Sequence, residues 1–392
     1  MPTLVHNLDF DWVNARLDAI AGTLGADPDL SAASLPVVTP SPWEKTFEFY
    51  YPTEPRRTRA QDTLNRVREA LGRVVSAHVH TDQLDLLLQF EWLAHVRLDE
   101  RVSGKLHRDH ILHPAAVCAI GWWLLHDGGP VHLRLDGLAH ALQSRCATLA
   151  PAIDAAGWRD VAQRAWVLAA LIHDLRYPVE TLCALEGLCD RASPGLWKHG
   201  IDVPVVERAY ASTTSVLQSH VTPDDFAAFV RGPKKNHGPL AALMLLEAAN
   251  SETGLTPRRR LIYELAAVAV LFHHSERQDE IGLVGNPLGY LLALADECHE
   301  FGREYMVWQA DGTALRVEYV VPVEKVAIKA TGDDYSAEFR LATDPAIQAM
   351  LKNGGFDAHK YRGGKPKGFD RLNPIGAAGK PVLPFSFCGL VV

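Results

Sequence analysis

The apolar run Trp166-Val-Leu-Ala-Ala-Leu-Ile172 ends in His173-Asp174, and four further helix-like stretches of this 392-residue chain carry a histidine or an aspartate in a comparable position. That pattern restricts the fold, because an ionisable group on an apolar helix face is costly to bury unless something compensates it. In chain order the places are His113 (His-Pro-Ala-Ala-Val), His173-Asp174, His237 (His-Gly-Pro-Leu), His273-His274 after Phe272, and Asp296 in Leu-Ala-Asp-Glu. A buried site for two metal ions needs neutral imidazoles, a carboxylate able to bridge, and a rigid frame. The chain offers all three. Any one of its 18 histidines is ordinarily a hydrogen-bonded core residue, so the ordered set carries the argument.

The periodicity around these places is helical. Leu64, Val67, Leu71 and Val74 recur at three and four spacings within an expected helix over 57–79, and further helices are expected over 81–97, 110–126, 133–149, 157–173, 179–188, 203–219, 224–230, 237–250, 257–274 and 287–301. Thr222-Pro-Asp-Asp reads as an N-cap followed by proline in the first turn. His107 and His110 face away from His113 on such a helix and are read as solvent-side or supporting residues. After Tyr305 the pattern alternates, giving strands over 315–321, 325–329 and 336–341 and a helix over 344–353. The expected fold is mainly α, a helical bundle with a small C-terminal α+β or β appendage. Its expected divisions are an irregular and helical N-terminal cover (1–100), a metal-binding helical domain (101–304), and a strand-rich C-terminal region with a basic loop (305–392).

Composition narrows the function. A net charge of -8 gives no global reason to bind nucleic acid or a membrane surface. A local exception is the basic and aromatic run 359–371, which reads either as a solvated loop or as a segment that closes over an anionic substrate or nucleic acid. The six cysteines form no CxxC pair, no apolar run reaches a membrane span, and the first residues lack a signal-peptide pattern, so the expected compartment is the cytoplasm.

The stretches Ala169-Ala-Leu-Ile-His173-Asp174-Leu, His113-Pro-Ala-Ala-Val-Cys, His237-Gly-Pro-Leu-Ala-Ala, His273-His274 and Ala295-Asp296 resemble the HD-domain superfamily of metal-dependent phosphohydrolases. The resemblance covers about 109–303. It is closest to multi-histidine branches such as the HD-GYP phosphodiesterases, but Leu175-Arg-Tyr-Pro178 replaces the lysine that often follows the His-Asp pair, and the GYP signature is missing. The resemblance implies an HD-type bundle in which His113, His173, Asp174 and Asp296 hold one metal. A second would be held by Asp174, His237, His273 and His274, with Asp174 bridging. Asp109, one turn before His113, would join a further metal or orient a ligand.

The expected cofactors are two divalent ions, drawn from manganese, iron, cobalt, magnesium or zinc. The expected activity is hydrolysis of a phosphate ester, of a nucleotide or an oligonucleotide, through a metal-bridged hydroxide, with His173 and Asp174 central. Arg176, Lys234, Lys235 and Arg277 lie near these ligands in sequence and are candidates for binding phosphate oxygens. Two alternatives stay open. One is a mixed-valent di-iron oxygenase of the same superfamily; the other is a non-catalytic module that binds a nucleotide and signals through the C-terminal sheet. The oligomeric state is open.

Overall fold

Capping residues written into the sequence start the main helices. Asp9 accepts the Trp12 N–H at 2.8 Å ahead of α1 (Phe10–Leu24). After α2 (Glu54–Gly72), α3 (His113–Trp123), which runs on into the π-turn Leu124–Gly128, and α4 (Leu135–Cys146), Asp154 caps α5 (Ala155–Ile172) through the Gly157 N–H at 2.7 Å. The continuous helix expected over 203–219 divides into α6 (Val203–Ala211) and α7 (Ser215–Gln218). The break has a local cause: the Thr213 hydroxyl and N–H both turn back onto the Tyr210 carbonyl, at 2.7 and 3.0 Å.

Five more helices complete the set among the described residues. Thr222 caps α8 (Pro223–Val230) as expected, accepting the Asp225 N–H at 3.2 Å. The next is α9 (His237–Ser251), and α10 (Pro257–Phe272) and α11 (Pro287–Cys298) start at Thr256 and Asn286, each followed by proline. Last comes α12 (Pro345–Asn353).

The computed structural model describes residues 4–25, 27, 29, 54–74, 107–108, 112–128, 134–146, 153–174, 203–213, 215–230, 237–252, 254–273, 286–299, 305–311, 314–331, 334–353 and 385–391. Over these residues the protein is mainly α, a helical bundle with a small sheet-bearing appendage. The helices expected over 81–97 and 179–188 and the basic loop lie outside the described residues. None of the described helices is long and apolar enough to cross a membrane.

Every residue of α3 is buried, as befits a helix that is apolar all round. It packs on α5 at Gly121, where an added Cβ would lie 1.8 Å from the Trp166 indole. The same indole donates to the Cys118 carbonyl at 3.2 Å. Gly121 follows His113 and Trp166 precedes His173 by nearly equal lengths of helix, so the two helices run antiparallel and the start of α3 meets the end of α5. The first turn of α9 meets the end of α10 in the same way at Gly238, where a Cβ would lie 2.7 Å from the Val270 carbonyl.

The N-terminal helices belong to the same core, through Val13, Leu17, Ile20, Leu64, Val67 and Leu71. They are also held by charge. Arg164 donates to the Leu24 carbonyl at 2.7 Å and to the Arg73 carbonyl, satisfying carbonyls at the last residue of α1 and just after α2. Asp27, fully buried, receives Arg258 at 3.0 Å and Arg259 at 3.1 Å, while Arg259 also makes a two-pronged pair with Glu252 at 2.6 and 2.8 Å.

The strands form two sheets. One has the order β1-β5-β6-β7, where β1 is Leu4–Leu8, β5 Val323–Thr331, β6 Asp334–Leu341 and β7 Phe385–Val391. Its β6–β7 pair is parallel and the others antiparallel. The second has the order β2-β3-β4, with β2 His107–Arg108, β3 Tyr305–Asp311 and β4 Ala314–Val320, and α12 packs against β3 and β4. His107, expected on a helix, is therefore a strand residue opposite Met306. Val326 and Ile328 of β5, with Phe339 and Leu341 of β6, point into the common core from one face of their sheet.

Candidate metal centre

Five helix ends meet at one place. Helices α3 and α9 bring their first residues, His113 and His237, while α5, α10 and α11 bring their last turns with His173-Asp174, His273 and Asp296. Three C-terminal ends against two N-terminal ones leave an excess of the negative end of the helix dipole, which favours a cation.

The Asp174 carboxylate stands at the middle. Its Oδ2 lies 3.4 Å from His113 Nε2, and its Oδ1 lies 3.6, 3.7 and 3.8 Å from Nε2 of His173, His237 and His273. His113 Nε2 is also 2.9 Å from Asp296 Oδ1 and 3.3 Å from His173 Nε2. Two triads, His113–His173–Asp296 and His173–Asp174–His273, place their donor atoms within 4.8 Å of one another, and each can hold a metal ion. His113, His173, Asp174, His237 and His273 are all buried.

The donor chemistry fits a cation. Ligands bonded at about 2.1 Å to one ion lie roughly 3.0–3.5 Å apart, close to the separations found here. His173 and His273 donate Nδ1–H to carbonyls of their own helices, Ala170 at 2.8 Å and Val270 at 2.6 Å, which turns the Nε2 lone pair toward Asp174. That is the tautomer and outer bond of a metal-ligating histidine. Burial pushes the His173 pKa down, and nearby His273 adds to this, while Asp174, Asp296 and the bond to Ala170 pull the other way. The imidazole is thus kept neutral, as ligation requires.

The structure brings together six of the expected ligands: His113, His173, Asp174, His237, His273 and Asp296. His274 and Asp109 lie outside the described residues, as do Arg176, Lys234, Lys235 and Arg277. Among the described residues, one buried histidine escaped the sequence reading. His299, which caps α11, places its Nδ1 2.6 Å from His113 Nδ1. Its signal was the spacing from Asp296, three residues and so nearly one helical turn. The imidazoles form a row, 299–113–173–273–237, with neighbouring centroids 4.9, 5.2, 5.1 and 5.3 Å apart.

Comparison of the chain with protein-family models, with curated proteins and with solved structures gave no match, so the functional reading stands on the residues themselves.

Proposed function

We propose that this protein is a metal-dependent phosphohydrolase of the HD-domain type, acting on a phosphate ester of a nucleotide or oligonucleotide with two divalent cations. The observation that carries the reading is the division of Asp174, with Oδ2 toward His113 and Oδ1 toward His173, His237 and His273. A carboxylate so placed is suited to bridge. One cation would take His113, His173, Asp174 and Asp296; the other would take Asp174, His237, His273 and, from the sequence, His274. When bound, the pair would lower the pKa of a water and hold phosphoryl oxygens for in-line attack.

The chain itself supplies position and exclusion of solvent. The Ala170 and Val270 carbonyls fix the His173 and His273 rings, and the surrounding apolar core keeps the cluster dry. Asp296, with 15 % of its side chain exposed against 5 % for Asp174, marks the side from which a substrate approaches. The buried free thiols Cys118, Cys146 and Cys298 fit a reducing, cytoplasmic compartment.

The test is elemental analysis of protein purified without chelator, followed by a phosphoester screen with manganese, iron, cobalt, magnesium and zinc forms. Two equivalents of metal with turnover is expected. Metal-loaded protein that leaves a broad panel intact, while a control enzyme cleaves it, removes the hydrolase reading. The four imidazoles and two carboxylates among the described donors also favour a second reading, the mixed-valent di-iron oxygenase. Dioxygen uptake coupled to an iron signal would select it, and an active magnesium form would exclude it.

A further inference from the structure

His173 and His273 end their helices, so a carbonyl three residues back lies within reach of Nδ1. His113 opens its helix, and helix carbonyls point toward the C-terminus, away from it. Its Nδ1 must find a partner elsewhere. That partner is His299, at 2.6 Å. The ring centroids are 4.9 Å apart, longer than the N–N distance by about two ring radii, so the rings meet edge to edge along the N–N line, as a straight hydrogen bond requires.

We infer that His299 is a positioning residue for the metal centre, accepting the Nδ1–H of His113 and so holding the His113 Nε2 lone pair toward the cation shared with Asp296. This rests on the two-metal reading above. The end of α11 then grips His113 from both sides, with Asp296 Oδ1 2.9 Å from Nε2 and His299 at Nδ1. Asp296 and His299 are separated by less than one turn, so the helix end acts as one rigid clamp. Outer hydrogen-bond partners of this kind typically set metal affinity by about 10- to 100-fold.

The experiment compares wild type with His299→Asn, whose amide oxygen can stand where Nδ1 stood, and His299→Leu, which fills similar space without an acceptor. Zinc and manganese affinities are measured by chelator competition, with folding checked by circular dichroism and His126→Ala as a histidine variant remote from the site. The leucine variant should bind its weakest metal about 10- to 100-fold less tightly, while the asparagine and His126 variants stay within a few-fold of wild type. If the leucine variant binds both metals as wild type does, His299 has no positioning role. Should it fail to fold, nitrogen-15 NMR of zinc-loaded wild type decides: a scalar coupling between the Nδ1 atoms of His113 and His299 across the shared proton is expected, and a zinc-bound His113 without that coupling overturns the inference alone. Wild type that binds no metal at all overturns both this inference and the two-metal reading, whereas normal wild-type loading with an unaltered leucine variant overturns this inference alone.

Discussion

At the scale of single residues, Asp174 is the most consequential side chain, because four imidazoles face its two oxygens. Asp174→Ala should remove at least one equivalent of metal and all turnover, read by elemental analysis and by the phosphoester assay; retention of two equivalents with normal activity would refute the assignment. Gly238 is a quieter constraint. A methyl there would sit 2.7 Å from the Val270 carbonyl and 3.1 Å from the His273 ring, so α9 can approach α10 only without a side chain at that point. Gly238→Ala should therefore cost about 1–3 kcal/mol in urea unfolding and weaken the proposed metal site at His237 and His273, with no loss expected at the proposed site of His113. The convergence of the six candidate ligands was legible in the sequence because each breaks an apolar run where a helix begins or ends. His299 was not, since a lone histidine after Asp296-Glu-Cys298 has no such contrast, and only the folded end of α11 shows what it touches.

At the scale of elements, the site depends on helices whose ends are brought into register by contacts well away from it. Gly121 against Trp166 sets α3 on α5, and Gly121→Ala should destabilise by at least about 1–3 kcal/mol, because a carbon 1.8 Å from the indole forces the helices apart. An unchanged urea midpoint would contradict that packing. The charged cluster acts at the other end of α10. Arg259 lies near its start and His273 just beyond its end, about 21 Å apart at the usual rise per residue. Arg259→Met leaves Asp27 without one of its cations and Glu252 without the cation it pairs with, and should cost about 3–5 kcal/mol while the metal stoichiometry is kept. The helices themselves were readable from their period and caps, as at Thr222. The break between α6 and α7 was not, because Val216 and Leu217 continue the apolar pattern across Thr213, and the turn of its hydroxyl and N–H onto the Tyr210 carbonyl shows only in the folded backbone.

At the scale of the whole molecule, the sequence showed strands after Tyr305 by alternation but gave no sign of which distant segments complete the sheets. β1 opens the described chain and pairs with β5 from Leu4 opposite Ala330 to Leu8 opposite Val326, and β2 is only two residues long. Segments this short carry too few residues for a period to register, and their pairing is set by tertiary contacts. The candidate metal centre has the same non-local character, since its donor groups come from helix ends spread between residues 113 and 296. Such a centre exists only when the bundle is folded, so a cation that binds it binds the native state in preference to the unfolded chain. Stability must then rise with metal concentration, by about 2.7 kcal/mol when free metal exceeds its dissociation constant 100-fold. Differential scanning calorimetry of chelator-treated protein, titrated with manganese, iron, cobalt, magnesium or zinc, should show a concentration-dependent rise in Tm for at least one ion. Asp174→Ala should blunt the rise, and Arg259→Met should lower the starting Tm yet keep the increment. A Tm that none of the five ions moves would mean that the five helix ends meet without forming a metal centre.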